Sequence, residues 1–110
     1  MTYSKEVETS IDGLIQSWTD IEKREMFGAL CYLTRGTMCF GIWQEYLIVR
    51  TGPELANQKL VQGEVRPFEV TGKQMKGWVM VGREALEVET NLGDWLAVGR
   101  SFADSLPDKG

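Results

Sequence analysis

The two cysteines are the most reactive side chains in this sequence, and they lie close together, at Cys31 and Cys39. A pair of thiols could form a redox couple or supply two ligands of a zinc site. A structural zinc site needs four ligands, however, and the sequence has no histidine to complete one. Neither cysteine has a nearby lysine that would stabilise a thiolate. We therefore interpret both as reduced thiols that fill the core, and we expect no metal and no cofactor.

A cluster of carboxylates, Glu84, Glu87 and Glu89, is the second candidate for chemistry, as an acid and base group. The cluster precedes a predicted helix, where acidic side chains interact favourably with the helix dipole, and no apolar frame surrounds it to raise a pKa. Without histidine the usual base of a nucleophilic triad is also missing. We predict no catalytic residue and no enzyme. A pocket between sheet and helices, in a ligand-binding protein or an enzyme, is the weakest alternative.

Basic residues near Trp78 are the third candidate, because basic side chains interleaved with an aromatic ring can bind single-stranded nucleic acid. They are Arg66, Lys73, Lys76 and Arg83. Acidic residues dilute this patch, and the whole chain has a net charge of -4. That balance argues against broad electrostatic binding to nucleic acid or to an anionic membrane. A nucleic-acid-binding accessory protein that uses the Arg66–Arg83 hairpin therefore remains an alternative.

A sheet has to position these residues, and the stretch Met26–Arg50 is the part of the sequence that can form its core. Its apolar runs are interrupted by short polar tips at residues 34–36 and 44–45. Tips of this length are too short for a helical crossover. The runs are therefore predicted to be three consecutive antiparallel strands.

The two tips also predict how these strands pair. A three-residue loop at the first tip, with Gly36 in the left-handed conformation, places Cys31 opposite Cys39. A two-residue turn at the second tip places Trp43 opposite Tyr46.

Alternation along the strands then gives the sheet two different faces. The first face is apolar throughout and is predicted to be covered by helices; it carries Leu30, Tyr32, Met38, Phe40, Ile42, Leu47 and Val49. The second face is mixed and is aromatic at one edge; it carries Ala29, Cys31, Leu33, Thr37, Cys39, Gly41, Trp43, Tyr46, Ile48 and Arg50. Contiguous apolar and aromatic surface commonly marks an interface. We predict a protein interface formed by Trp43, Tyr46, Ile48 and Arg50, unless another part of the chain covers this face.

The remaining segments complete the predicted fold. Residues 4–18 have the apolar spacing of an amphipathic helix with Ser4 as N-cap, and the polar residues 19–25 lead from it into the sheet. A second helix is predicted to begin around Pro53 and end near Gly63, a second hairpin covers residues 65–81, and a last helical stripe runs from Leu92 to Leu106. The order α-β-β-β-α-β-β-α predicts an α+β, two-layer domain with a five-stranded antiparallel sheet and helices on one face.

Length and composition fit a single domain over residues 1–110, with 43% hydrophobic and 25% charged residues. The first residues have no apolar signal-peptide core, and no apolar run has the length of a membrane span. The cysteines lie within apolar strands and do not form a spaced disulfide framework, which suits a reducing compartment. We expect a cytoplasmic protein.

An ordered set of short motifs resembles the N-terminal domain of the TfoX/Sxy family of competence regulators and their stand-alone relatives. The matching residues are Arg24 with Met26-Phe27-Gly28, Gly36, Val49-Arg50, Gly52-Pro53-Glu54, Arg66-Pro67-Phe68, Thr71-Gly72, Met75-Lys76-Gly77-Trp78, Leu92 with Trp95, and Ser105-Leu106-Pro107 with Lys109. Ala29 departs from the pattern, because the family usually has a second glycine there.

The resemblance implies a two-layer α/β domain with an antiparallel sheet and implies no catalytic residues. Long members of the family carry a second, helical domain that this sequence lacks, so their role in competence transcription does not transfer to it. We expect a small, non-enzymatic regulatory or adaptor domain that acts through protein contacts. Its expected partner is another protein or a second copy of itself, in a homodimer. No membrane is expected, and nucleic acid is the less favoured alternative.

Overall fold

The structure is a computed structural model that describes residues 3–26, 28–62, 65–70, 73–82 and 89–106. Within these residues the helices are α1 (Lys5–Leu14), α2 (Pro53–Gln62) and α3 (Glu89–Ser105). The strands are β1 (Ile21–Met26), β2 (Ala29–Thr34), β3 (Thr37–Trp43), β4 (Tyr46–Arg50), β5 (Arg66–Val70) and β6 (Lys73–Val81). They form one antiparallel sheet in the order β1-β2-β3-β4-β6-β5.

The α+β class and the antiparallel sheet are confirmed, but the prediction of five strands is wrong, because the described chain has six. The additional strand is β1, which the sequence suggested was only a polar lead into the sheet. It pairs with β2 along its whole length, from Ile21 opposite Thr34 to Met26 opposite Ala29. As an edge strand it is largely exposed to water, so it lacks the apolar alternation by which the other strands are identified.

Polar contacts with α1 and with Tyr3 hold the exposed middle of β1, whose end residues Ile21 and Met26 pack against the two core clusters. The Lys23 ammonium lies 2.8 Å from carboxylate oxygens of both Glu8 and Asp12. The Tyr3 hydroxyl donates to Glu25 at 3.0 Å. These contacts fix α1 against the strand although four of the six β1 residues are exposed.

Helix α1 begins as predicted and ends earlier. The Ser4 hydroxyl accepts a hydrogen bond from the backbone N–H of Val7, which confirms the N-cap. The helix ends at Leu14 instead of residue 18. Ile15 and Trp18 nevertheless pack against the first-face core, so the apolar spacing persists after the helical backbone has ended.

Helices on one face of the sheet were predicted, and the three described helices have a mixed arrangement. Helices α1 and α3 contact each other, and α3 crosses β3 and β4, whereas α2 packs mainly against β6. Their buried side chains join one core cluster with the first face of the sheet; it includes Ile11, Phe40, Leu47, Ala56, Val79, Leu92 and Leu96.

The pairing of β2 with β3 differs from the prediction at its turn. Thr34 lies opposite Thr37, so the connection is a two-residue turn. Both of its residues have positive φ, 52° at Arg35 and 78° at Gly36, as the hairpin turns that match strand twist require. The prediction of a three-residue loop is therefore wrong.

A bulge next to this turn restores the predicted faces farther along β3. Tyr32 lies opposite Phe40 and Leu33 opposite Met38, which leaves Cys39 as the extra residue. Cys39 joins the first-face core, and Met38 packs with the second-face residues, the reverse of the prediction. Thr37 also moves, to the first face, by its register with Thr34.

Helix α3 rests directly on this bulge at Gly99. A Cβ atom added at Gly99 would lie 2.5 Å from the carbonyl oxygen of Cys39, which is far too close for a real contact. Only glycine lets the helix approach the strand backbone this closely. Gly93, in the same helix, has no neighbour within 4 Å of its added Cβ.

The two glycines of α3 should therefore respond oppositely to alanine. Gly99→Ala should destabilise the domain by about 1–3 kcal/mol, because the new methyl group meets backbone that cannot rotate away. Gly93→Ala should stabilise it by up to about 1 kcal/mol through helix propensity alone. Urea unfolding of both variants measures the contrast. A stabilised Gly99→Ala variant would contradict the close approach.

A group of ion pairs joins α3 to the β2–β3 turn at one end of the molecule. Arg100 reaches Asp20 at 2.8 Å and Asp104 at 3.1 Å, and Arg35 reaches Asp104 at 2.9 Å. The Thr34 hydroxyl, which is buried, donates to Asp20 at 2.8 Å. This hydroxyl and the Arg100 guanidinium hold the pKa of Asp20 below its usual value, and hydrogen bonds from Arg35 and Arg100 do the same for Asp104.

The ion pairs at this end of the domain should contribute less to the free energy of unfolding in acid. A carboxyl whose pKa is lower in the folded state stabilises the fold above its unfolded pKa, near 4, and loses that contribution as the pH falls through the folded value. Unfolding measured between about pH 6 and 2 should therefore show a smaller acid loss in Asp104→Asn and Asp20→Asn than in the wild type. Asp94→Asn, at an exposed site on α3, is the control for removing one carboxylate from that helix.

Candidate interaction face

The second face of the sheet contains the residues predicted to form an interface. The two-residue turn at Gln44-Glu45 is confirmed, because Trp43 lies opposite Tyr46. Both rings are half-buried at this end of the face. Arg50, at the other end of β4, is also half-buried. Ile48, between them, is buried at 1% exposure.

Phe68 covers Ile48, and it comes from the far edge of the sheet. Its ring lies 5.8 Å from the Trp43 ring and 6.1 Å from the Trp78 ring. In the sheet order β5 is three positions from β3, about 14 Å in a flat sheet. The rings of Phe68 and Trp43 must therefore reach towards each other across β4 and β6. Part of this face is covered by the chain itself, while Trp43, Tyr46, Trp78 and Met80 stay partly exposed around Phe68.

Arg50 is held between two aromatic rings from different elements. Its guanidinium carbon lies 6.0 Å from the centre of the Trp78 ring and 5.6 Å from that of Phe102. Trp78 faces Arg50 across the β4–β6 pair, and Phe102 comes from α3. Such contacts attract the guanidinium to the ring faces and fix the side chain. The sequence placed Arg50 on this face but gave no sign of either ring as its partner.

Only part of the alternative basic set can be located. Arg66 is exposed, and its guanidinium carbon lies 6.0 Å from the centre of the Tyr46 ring. Lys73 and Lys76 belong to the backbone of β6, but their side chains lie outside the described part of the chain, as does Arg83. One member of the basic set, Arg66, thus lies beside Tyr46 of the predicted interface.

The start of α2 is tied to β6 by hydrogen bonds that sequence reasoning did not anticipate. The carbonyl of Gly77 accepts from the backbone N–H groups of Thr51 at 2.9 Å and Gly52 at 3.1 Å, and from the Thr51 hydroxyl at 3.3 Å. Gly52 has φ +89° and Gly77 has φ +83°. The Phe102 ring lies so close to Gly52 that a Cβ there would be 2.7 Å from it. Gly52 and Gly77 belong to two of the motifs that match the family. That match was the one feature of the sequence that could have indicated a contact between them.

The two cysteines lie on opposite faces of the sheet and are free thiols. Cys31 lies opposite Gly41, so the prediction that it faces Cys39 across the hairpin is wrong, because the turn has two residues and the bulge adds one more. Burial raises the pKa of each thiol to about 11. That shift is opposite to the one that makes a reactive cysteine.

The carboxylate cluster, metal ligands and membrane-spanning helices were the remaining features to locate. Glu84 and Glu87 lie outside the described residues, and Glu89 begins α3. Across the described ranges no group of three or more cysteine and carboxylate side chains could hold a metal ion. Among the helices that the structure describes, none is long and apolar enough to cross a membrane.

Comparison with known proteins identifies one match. A family model, described as the TfoX N-terminal domain, matches residues 13–103. This range begins within α1, includes all six strands and ends within α3. No significant match occurs among curated proteins.

The native thiols should react slowly. Because Cys31 and Cys39 are 2% and 0% exposed and have raised pKa values, a thiol reagent such as Ellman's reagent should modify neither quickly at pH 8. Both should react at once in denaturant. Fast modification of the native protein, with the fold intact, would contradict the burial of the modified cysteine.

Proposed function

The chain belongs to the TfoX N-terminal domain family, and on that basis we propose that it is a regulatory or adaptor domain that works through protein contacts on its second face. The role is non-enzymatic. The contact residues are Trp43, Tyr46 and Arg50 with the neighbouring Trp78, while Ile48 supports them from beneath.

One observation carries this proposal. The helices place their buried side chains in the first-face core, whereas the second face keeps half-buried tryptophan, tyrosine and methionine side chains around a single covering ring, Phe68. Aromatic residues and methionine are enriched at protein interfaces and are surrounded there by polar groups. Trp43, Tyr46 and Arg50 provide that combination of apolar area and charge.

The titration behaviour of the buried groups supports a non-enzymatic role. Burial raises the pKa of Cys31, Cys39 and Tyr32, and a hydrogen bond to Asp12 contributes at Tyr32. Each shift favours the protonated form, so these groups are poor nucleophiles and poor bases at neutral pH. Their burial is sufficiently explained by packing.

The proposed partner is a second copy of the chain, with another protein as the alternative. Symmetric dimers are the commonest assemblies of soluble proteins, and they need only one self-complementary surface. The free thiols of Cys31 and Cys39 support a reducing, cytoplasmic location.

Nucleic-acid binding remains the weaker alternative. Arg66 and Arg50 already lie over the rings of Tyr46 and Trp78, which leaves less aromatic surface on which bases could stack. The chain also has a net charge of -4, which opposes association with a polyanion. Steep salt dependence of binding to a single-stranded oligonucleotide would favour this alternative.

Tyr46→Glu should weaken association while the monomer stays folded. The change removes a half-buried ring and adds a charge that association would have to bury. Sedimentation at tens of micromolar should give a dimer for the wild type and a lighter species for the variant, with circular dichroism as the check on folding.

Val61→Glu is the matched control, since Val61 is 88% exposed and lies on α2. It should sediment as the wild type does. A wild type that sediments as a monomer would contradict the proposed self-association. Loss of the dimer in Val61→Glu alone would move the interface to α2.

A further inference from the structure

Two arginine side chains lie against aromatic rings of the second face, at opposite ends of β4. The Arg66 guanidinium is beside Tyr46, the first residue of the strand. The Arg50 guanidinium, from the last residue, is beside Trp78. Tyr46 and Arg50 are four residues apart on β4, about 13 Å in an extended strand. Positive charge therefore borders the aromatic surface at two points separated by about that distance.

Neither guanidinium is neutralised within the described chain. No described carboxylate lies within ion-pair distance of Arg50 or Arg66, whose contacts are with rings. Glu22, which β1 places on this face opposite Leu33, is already paired with Arg24. The basic side chains that contact described carboxylates are Lys5, Lys23, Arg24, Arg35 and Arg100. A ring attracts a guanidinium but supplies no opposite charge, so both arginines are available to an anionic group.

We propose that the second face binds an acidic segment of another protein, with one carboxylate on Arg50, one on Arg66 and an apolar side chain between them. This inference rests on the protein contacts proposed above for this face, and it names the chemistry of the partner where that partner is another protein. Phe68 covers Ile48 in the middle of the face, and Met80, opposite Ile48, is partly exposed there. The apolar side chain of the partner packs on this central surface.

An extended segment supplies these three groups at a simple spacing. Alternate side chains of an extended chain lie on the same side, and residues i and i+4 are about 13 Å apart. That reach matches the distance between the two ends of β4, and residue i+2 falls over the middle of the face. The expected motif is therefore an acidic residue, an apolar residue two positions later and a second acidic residue two positions after that.

The charge distribution favours a short acidic segment over a nucleic acid. The chain has a net charge of -4, which a long polyanion would meet beyond the edges of this face. Charges are screened over about 8 Å at physiological ionic strength, so two carboxylates seated on Arg50 and Arg66 interact mainly with those two guanidiniums. Local charge complementarity thus selects a segment no longer than the face itself.

Arg50 is the better prepared of the two arginines. Trp78 and Phe102 hold its guanidinium, so little conformational freedom is lost when a carboxylate binds. Its N–H donors lie in the guanidinium plane and match the two oxygens of a carboxylate. Arg66 is exposed and contacts one ring, that of Tyr46. Replacement by lysine should therefore weaken binding more at Arg50 than at Arg66, because lysine keeps the charge and loses the planar pair of donors.

Peptide titration followed by nuclear magnetic resonance tests the inference. The probe is a blocked peptide, Ser-Glu-Ser-Leu-Ser-Glu-Ser, added to the intact protein at low salt. The indole N–H signals of Trp43 and Trp78, which pack on the second face, should shift. Those of Trp18 and Trp95, which pack on the first-face core, should not. A peptide of the same composition with both glutamates at one end, Ser-Leu-Ser-Ser-Ser-Glu-Glu, should bind more weakly.

Variants of the arginines locate the two carboxylates. Arg66→Gln and Arg50→Gln should each weaken peptide binding by roughly three- to tenfold, because each removes one ion pair. Arg66 is exposed, so its variant should stay folded even if Arg50→Gln loses packing between its rings. Arg24→Gln is the matched control, since Arg24 is an exposed arginine of the same face that already contacts Glu22. It should bind the peptide as the wild type does.

Three results would overturn the inference. Equal binding of the two peptides would show that the spacing of the arginines is not recognised. Unchanged affinity in both Arg50→Gln and Arg66→Gln would place the carboxylates elsewhere. Displacement of the peptide by a lower concentration of single-stranded oligothymidylate would assign the face to nucleic acid.

Failure of this inference is distinguishable from failure of the proposed function. If the peptide does not bind but Tyr46→Glu still dissociates a wild-type dimer, the proposed face is retained and the acidic partner is rejected. If the peptide binds a wild type that sediments as a monomer, the acidic partner is retained and only self-association is contradicted.

Discussion

The contact between Gly99 and the carbonyl of Cys39 determines where α3 lies, and much of the molecule depends on that position. The bulge turns Cys39 towards the helix side, and the missing side chain at Gly99 lets the helix lie against strand backbone. From there Arg100 meets the β2–β3 end and Phe102 meets Arg50. A single close approach of two backbones thus sets both the ion pairs at one end and the arginine on the second face.

The sequence predicted the strands that are buried on both faces of the sheet, and it did not predict the strand that is largely exposed. Strands β2, β3 and β4 follow from one apolar stretch with short interruptions, and the Trp43–Tyr46 pair follows from a turn too short to allow another register. Strand β1 could not be predicted in the same way, because its charged residues form ion pairs with α1 or face water. The bulge at Cys39 could not be predicted either, since nothing local distinguishes a three-residue loop from a two-residue turn followed by an extra residue.

The candidate site shows the same division. Trp43, Tyr46 and Arg50 were grouped correctly on one face by alternation along β3 and β4. The burial of Ile48 depends on Phe68, and the position of Arg50 depends on Trp78 and Phe102. These partners come from segments distant in sequence, so their meeting is a property of the assembled sheet and cannot be inferred from spacing.

The strand order has a consequence for how the chain can assemble. Strand β4 is paired with β3 as soon as the first hairpins exist, but its other neighbour is β6, which follows only after α2 and β5. Until residues 73–81 arrive, the backbone of Leu47–Val49 is an open, apolar edge. During synthesis on a ribosome, a strand whose three central residues are buried in the folded domain is therefore the one that waits longest for its second partner. The hydrogen bonds from Thr51 and Gly52 to Gly77 form in the same late step that closes it.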